Sequence, residues 1–138
     1  MKPEYSCIAI VALAWGGYPL IARSSGIGGG LGALILTLSA LLPIGAITLW
    51  QGVTTRPAAP EIIKLVIAGT IMGIGTTAFN FVANSRQLDA SVSIPIVDTA
   101  MLLVSVIAAI LFFAEPVTMR KLVGMGLLIA GIVVLRPE

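Results

Sequence analysis

Residues 91–113 read SVSIPIVDTAMLLVSVIAAILFF, an apolar run that is interrupted by only one charged residue, Asp98. As a helix this run would extend about 35 Å, slightly more than the roughly 30 Å hydrocarbon core of a bilayer. Its side chains do not alternate between apolar and polar with period two, as those of a membrane barrel strand would. The stretch therefore predicts a membrane-spanning helix.

The rest of the chain repeats this pattern. Hydrophobic residues make up 58% of the 138 residues and charged residues 10%, whereas soluble domains carry about 25% charged residues. Further apolar runs between charged turns are predicted as spans at 6–22, 30–50, 62–82 and 118–135. The first is the shortest and is expected to be little tilted or partly broken. We predict an all-α integral membrane bundle, a single domain over 1–138 with five transmembrane helices, in the cell membrane.

The composition also excludes several classes of protein. Short loops leave no room for a soluble domain, so soluble partners, nucleic acid and a cytosolic active site are not expected. The chain has no histidine, which removes the commonest metal ligand and general base. No nucleophile–base arrangement is visible. We therefore predict no enzyme, no metal and no cofactor.

The distribution of Lys and Arg between alternate loops gives the predicted topology. Cytoplasmic loops of membrane proteins carry an excess of these residues. The side of the N-terminus holds Lys2, Arg56, Lys64, Arg120 and Lys121, and the other side holds Arg23, Arg86 and Arg136. This weak bias favours a cytoplasmic N-terminus and is compatible with insertion in both orientations.

The first span contains the sequence Trp15-Gly16-Gly17-Tyr18-Pro19. Glycine and proline inside a span loosen its hydrogen-bond ladder. Trp15 and Tyr18 are three residues apart and share a helix face. Three interpretations follow: a packing kink, a substrate cavity lined by both aromatic rings, or an aromatic belt at the membrane interface.

The third span carries small and polar residues on one face, at Gly69, Gly73, Thr77, Asn80 and Asn84. The pair of glycines four residues apart allows another helix to approach closely. A polar side chain inside a span needs a partner. Thr77, Asn80 and Asn84 are therefore candidates either for hydrogen bonds between helices or for lining a substrate cavity.

Asp98 is the acidic residue that lies well inside a predicted span. An ionised carboxylate there costs about 2.5–3.5 kcal/mol on insertion scales, so it should face the bundle interior or water. Ser91 and Ser105 lie seven residues to either side, on nearly the same face. Asp98 is thus a candidate for binding a proton or cation in the cavity, or alternatively a residue that orients neighbouring helices.

The fifth span is rich in small residues. Gly124 and Gly131 are seven residues apart, and Gly126 and Ala130 form a pair with four-residue spacing. Small residues let helix backbones approach closely in membranes. These four residues are predicted to pack against another helix, either at a dimer interface or within the same chain.

The chain resembles one five-helix repeat of the drug/metabolite transporter superfamily, of the EamA type. Leu13-Ala14-Trp15-Gly16 resembles the Trp-Gly element of the first helix, and residues 90–95 resemble the start of the fourth. The strongest similarity is Phe113-Ala114-Glu115-Pro116-Val117-Thr118 followed by a glycine-rich helix. That helix also resembles the dimerisation helix of small multidrug resistance proteins, although the membrane glutamate of their first helix has no counterpart here.

The resemblance implies a transporter of metabolites, amino acids or amphipathic drugs, often an exporter. The usual transporter has two such repeats, and an odd span number makes tandem repeats an inverted pair with the substrate between them. A single repeat implies an antiparallel homodimer of ten helices that works by alternating access on a small-molecule substrate. The alternative is a non-transporting membrane subunit, or a half-transporter that requires a different partner chain.

Overall fold

The computed structural model of the chain describes residues 3–53 and 57–135. These residues form five α-helices and no strand. The helices are α1 (Pro3–Ser24), α2 (Gly29–Gln51), α3 (Ala59–Ala83), α4 (Ala90–Phe113) and α5 (Met119–Val134). The predicted all-α class is therefore confirmed for the described residues. The chain divides into two compact units, residues 1–85 and 86–138.

Four of the helices, α1 to α4, are long and apolar enough to cross a membrane. Their large apolar side chains are mostly exposed: Leu13 is 79% exposed, Trp50 87% and Phe112 83%. A continuous apolar surface of this extent is not compatible with water, but it is the ordinary surface of a helix in lipid. The expectation of a membrane protein is thus confirmed in its general form.

The prediction that the first span is the shortest is wrong, and the alternative that it is partly broken is not what the structure shows; that it is little tilted stays a prediction. Helix α1 has 22 residues and is helical through Pro19, whereas α5 has 16. Helix α1 begins earlier than its apolar run because Pro3 suits the first turn, where a backbone N–H has no helical partner. Helix α5 begins after Thr118, whose hydroxyl accepts a hydrogen bond from the Lys121 backbone N–H at 3.3 Å.

The first unit contains α1, α2 and α3 in alternating directions. The start of α2 packs against the end of α3, so these two helices are antiparallel. The end of α1 meets the same end of α3 through Arg23, whose guanidinium donates a hydrogen bond to the Ala83 carbonyl at 3.0 Å. Successive helices that run up, down and up are what consecutive membrane spans require.

The beginning of α3 is fixed by local chemistry. Pro60 lies in its first turn. The Glu61 carboxylate accepts a hydrogen bond from the backbone N–H of Ala58 at 2.8 Å. An acidic group in the first turn also interacts favourably with the helix dipole. The charged residue at this boundary therefore stabilises the helix start as well as marking the end of the apolar run.

The second unit contains α4 and α5, which pack against each other. Helix α4 ends at Phe113, and the next residue, Ala114, has a left-handed conformation with φ of 50°. Across the following turn the Lys121 ammonium and the Glu115 carboxylate form an ion pair at 2.7 Å. The half-buried residues of α5 are Lys121, Gly124, Met125, Leu128 and Ile132. Their three- and four-residue spacing defines one covered helix face.

Substitution of Gly32 by alanine should destabilise the first unit. An added Cβ would collide with the Ile27 carbonyl oxygen and lie 2.8 Å from the Asn80 Oδ1. Overpacking of this kind costs about 1–3 kcal/mol. The free energy of unfolding, measured by SDS titration of the protein in mixed micelles, should fall by that amount.

Gly30→Ala is the matched control for Gly32→Ala. Gly30 lies on the same helix, and nothing lies within 4 Å of an added Cβ. Alanine should leave the stability unchanged or raise it by up to about 1 kcal/mol, because it is the better helix former. Equal stability of the two variants would contradict a close approach of α2 to α3 at Gly32.

Candidate functional site

The tightest contact in the first unit lies where the start of α2 meets the end of α3. A Cβ added to Gly28 would lie 2.8 Å from the Asn84 Cβ, and Gly32 faces the Asn80 side chain in the same way. Gly28, which immediately precedes α2, and Gly32 are four residues apart, as are Asn80 and Asn84. Two small residues at the start of α2 thus contact two polar side chains at the end of α3.

The two asparagines form a buried amide pair. The Asn84 Nδ2 donates to the Asn80 backbone oxygen at 3.0 Å and to the Asn80 Oδ1 at 3.2 Å. Asn80 is only 1% exposed. Because the Asn84 amide nitrogen faces two acceptors, exchanging its nitrogen and oxygen would set oxygen against oxygen. The orientation of this amide is therefore determined by its surroundings.

One oxygen of this pair lacks a partner. The Asn84 Oδ1 is buried and accepts no hydrogen bond from the described residues. A buried acceptor without a donor costs about 1–3 kcal/mol. A water molecule or a ligand N–H or O–H group at this position would remove that cost. The end of α3 therefore offers a specific acceptor to a polar molecule inside the first unit.

Helix α1 contributes an aromatic contact to the same end of the unit. The rings of Tyr18 and Phe79 lie 6.0 Å apart between centroids, tilted by 46°. This separation is within the range of favourable aromatic pairs. Together with the hydrogen bond from Arg23 to Ala83, the ring contact holds the end of α1 against α3.

A cavity of about 280 Å³ lies between α1 and α2 near the turn that connects them. It is open rather than enclosed. Its lining consists of Tyr18, Ile21, Ala22, Ser25, Ile27, Gly32, Ile35 and Leu36. Gly32 both lines this cavity and faces Asn80, so one residue of α2 separates the apolar cavity from the amide pair.

Three of the predicted cavity residues, Tyr18, Asn80 and Asn84, lie near the same end of the first unit. Tyr18 lines the cavity and the two asparagines do not, so their role in a substrate cavity stays a prediction. Trp15 is 64% exposed and does not line this cavity. The Thr77 hydroxyl is exposed and donates to the Gly73 carbonyl of its own helix at 2.9 Å. A role for Trp15 and Thr77 in a substrate cavity stays a prediction.

Asp98 belongs to the second unit, where it is half-buried on α4. Pro95 precedes it by three residues and provides no N–H for the helix ladder. The Thr99 hydroxyl donates to the Pro95 carbonyl at 2.7 Å. In the first turn, Ser93 is 1% exposed, and its hydroxyl has no partner among the described residues. The start of α4 thus concentrates polar groups within an apolar helix.

The four small residues of α5 lie on two faces. At 100° per residue, Gly124 and Gly131 share one side of the helix, and Gly126 and Ala130 lie on nearly the opposite side. Gly124 is half-buried, and the other three are exposed. Nothing in the described residues lies within 4 Å of a Cβ added to any of the three glycines. Gly126, Ala130 and Gly131 therefore have room for a closely approaching helix, whereas Gly124 lies at the edge of the covered face.

Sequence reasoning missed the residues that form the helix contact of the first unit, Gly28 and Gly32. Their four-residue spacing is the same close-packing signal that drew attention to Gly69 and Gly73. In the structure Gly28 and Gly32 lie against α3, whereas nothing lies within 4 Å of a Cβ added to Gly69 or Gly73. Arg23 was counted only as a topology signal, yet it also caps the end of α3.

No protein family, curated protein or solved structure matches the chain. The resemblance to the EamA-type repeat therefore rests on the sequence motifs and stays a prediction.

The amide pair predicts coupling between Asn80 and Asn84. We expect Asn80→Ala and Asn84→Ala each to lower the free energy of unfolding, and the double variant to lose less than their sum. Hydrogen bonds between polar side chains in membranes contribute about 0.6 kcal/mol on average and at most about 1.7 kcal/mol. A double-mutant cycle in mixed micelles measures this coupling.

Thr77→Ala is the control for this cycle, since its hydroxyl bonds only within α3. It should change stability by no more than about 0.5 kcal/mol and show no coupling to Asn84. Strict additivity of Asn80→Ala and Asn84→Ala would contradict the amide pair.

Proposed function

We propose that this chain is one half of a small-solute transporter of the cell membrane, which works by alternating access as an antiparallel homodimer. The observation that carries the proposal is the presence of polar side chains inside helices that are apolar enough to span a bilayer. Asn80 is buried in α3, and Asp98 is half-buried in α4. Such residues are expensive in hydrocarbon and usually mark a substrate or ion pathway.

The resemblance to the EamA type supports the same function. Members of that family place their substrate between two inverted five-helix repeats, and a single repeat can recreate this arrangement only by pairing with an inverted copy. The proposal requires α5 to cross the membrane. Its 16 residues extend about 24 Å, and the apolar residues Val117 and Leu135 flank it. A locally thinned bilayer accommodates a helix of this length at modest cost.

The direct test is transport by the purified chain in proteoliposomes, screened with radiolabelled amino acids and amphipathic dyes. Uptake or efflux by the chain alone supports the transporter. A chain that inserts and folds but moves no solute in any orientation would favour a subunit that requires a different partner.

We expect Asp98→Asn to reduce transport, or to change its dependence on pH, while leaving folding intact. Removal of the ionisable group deletes a proton or cation site but retains side-chain size. Asp89→Asn is the matched control, because Asp89 precedes α4 and makes no side-chain capping bond. The measurement is the initial rate of transport in proteoliposomes at several pH values between roughly 5 and 8. Most proteins are maximally stable in about this range. Identical profiles for all three proteins would remove Asp98 from the mechanism.

We expect Gly131→Leu to weaken the homodimer, because a bulky side chain separates helices that pack through small residues. Overpacking costs about 1–3 kcal/mol. A loss of about 1.4 kcal/mol in the free energy of association would lower the association constant about tenfold. Förster transfer between labelled chains in liposomes measures the association.

Gly126→Leu distinguishes the two faces of α5 in the same assay. If the dimer interface is the face of α5 that carries Gly124 and Gly131, the Gly126→Leu variant should still dimerise. Disulfide formation between cysteines at position 131 of two chains, in a background in which Cys7 is replaced by serine, then tests orientation. Position 131 lies near one end of α5, so an antiparallel pair separates these cysteines by about 13 Å along the membrane normal and should not cross-link, since a disulfide needs Cα atoms within about 7 Å. Chains that dimerise only with both N-termini on one side of the membrane would overturn the antiparallel arrangement.

A further inference from the structure

The cavity between α1 and α2 differs chemically from the amide pair beside it. Apart from Tyr18 and Ser25, its lining residues are aliphatic side chains or glycine. The Ser25 hydroxyl donates to the Ala22 carbonyl at 2.6 Å and accepts from the Ile27 N–H at 3.2 Å. The Tyr18 ring packs against Phe79. The lining of the cavity is therefore mostly hydrocarbon surface, which favours an apolar occupant.

The position of the cavity determines what can reach it. Its lining runs along α1 from Tyr18 to Ser25, which is about 10 Å at 1.5 Å per residue. This end of α1 adjoins the turn to α2, so in a bilayer the cavity lies in the outer part of the hydrocarbon layer. The medium there consists of acyl chains, in the segment next to the glycerol backbone.

The size of the cavity suits a short length of hydrocarbon chain. Its volume of about 280 Å³ lies just below the roughly 300–1,000 Å³ that is usual for pockets of drug-sized ligands, and the cavity is not enclosed. A void lined by apolar atoms loses dispersion contacts unless something fills it. A flexible hydrocarbon chain that occupied the cavity would restore those contacts.

We propose that the cavity between α1 and α2 is a binding site for one acyl chain of a bilayer phospholipid, which inserts its segment nearest the glycerol. This site is separate from the transport proposal and does not depend on it. Helix association in lipid relies on packing and not on water exclusion, so the seated chain would take the place of direct side-chain contacts between α1 and α2.

Photoreactive phosphatidylcholine tests the site in proteoliposomes of the full chain. One probe carries a diazirine at carbon 4 of the sn-2 chain and a second carries it near the terminal methyl, and adducts are mapped by mass spectrometry. We expect the first probe to label residues 18–36 about tenfold more than it labels residues at the same depth on the other helices, which corresponds to 1.4 kcal/mol of preference. Equal labelling of all helices by both probes would overturn the proposal and indicate unspecific contact with lipid.

Variants that fill the cavity provide the second arm. Ala22→Leu and Ile35→Trp place bulk in the cavity from α1 and α2, and each should abolish the preferential labelling. Ala14→Leu and Ile44→Trp make the same changes on the same helices outside the lining and should leave it intact. Preferential labelling that survives both filling variants would contradict the site. Labelling that is lost on addition of a transported solute would assign the cavity to that solute instead.

Discussion

Lipid offers no hydrogen-bond partner to a peptide group, and this deficit explains why the described chain is helical almost throughout. Each backbone N–H and C=O in hydrocarbon must be satisfied within the protein. The hydroxyl groups follow the same rule. Thr37, Thr48 and Thr70 each donate to the carbonyl four residues earlier in their own helix. Where a helix ends, other groups supply the partner, as Arg23 does for the Ala83 carbonyl.

The same medium decides where helices pack. Apolar side chains gain little by leaving lipid, so close contact depends on small residues and on polar pairs. The first unit follows this pattern: Gly28 and Gly32 let α2 approach α3, and the approach buries Asn80 and part of Asn84. The amide pair is costly in lipid without its partners. It therefore disfavours alternative registers of α2 against α3, in which the two asparagines would be exposed to lipid without these partners.

Much of the fold could be predicted from the position of charges. Glu61 and Asp89 lie at helix starts, and Arg23 lies at a helix end, because charged residues cannot enter hydrocarbon cheaply. The site was only partly predictable. The polar stripe of α3 identified Asn80 and Asn84, but spacing alone cannot show which glycine pair meets another helix. That choice depends on the neighbouring helix, which is why Gly69 and Gly73 drew attention and Gly28 and Gly32 did not.

Exposure has a different meaning for this chain than for a soluble protein. In water, the uncovered faces of α2 and α3 would indicate a missing partner. In a bilayer, lipid covers them, and exposed residues such as Leu42 or Ile71 need no other explanation. Polar groups without partners are the more informative feature, because lipid cannot satisfy them. The buried Asn84 Oδ1 and the buried Ser93 hydroxyl have no hydrogen-bond partner among the described residues, so a partner from water, a ligand or another chain would remove the cost of burying each group.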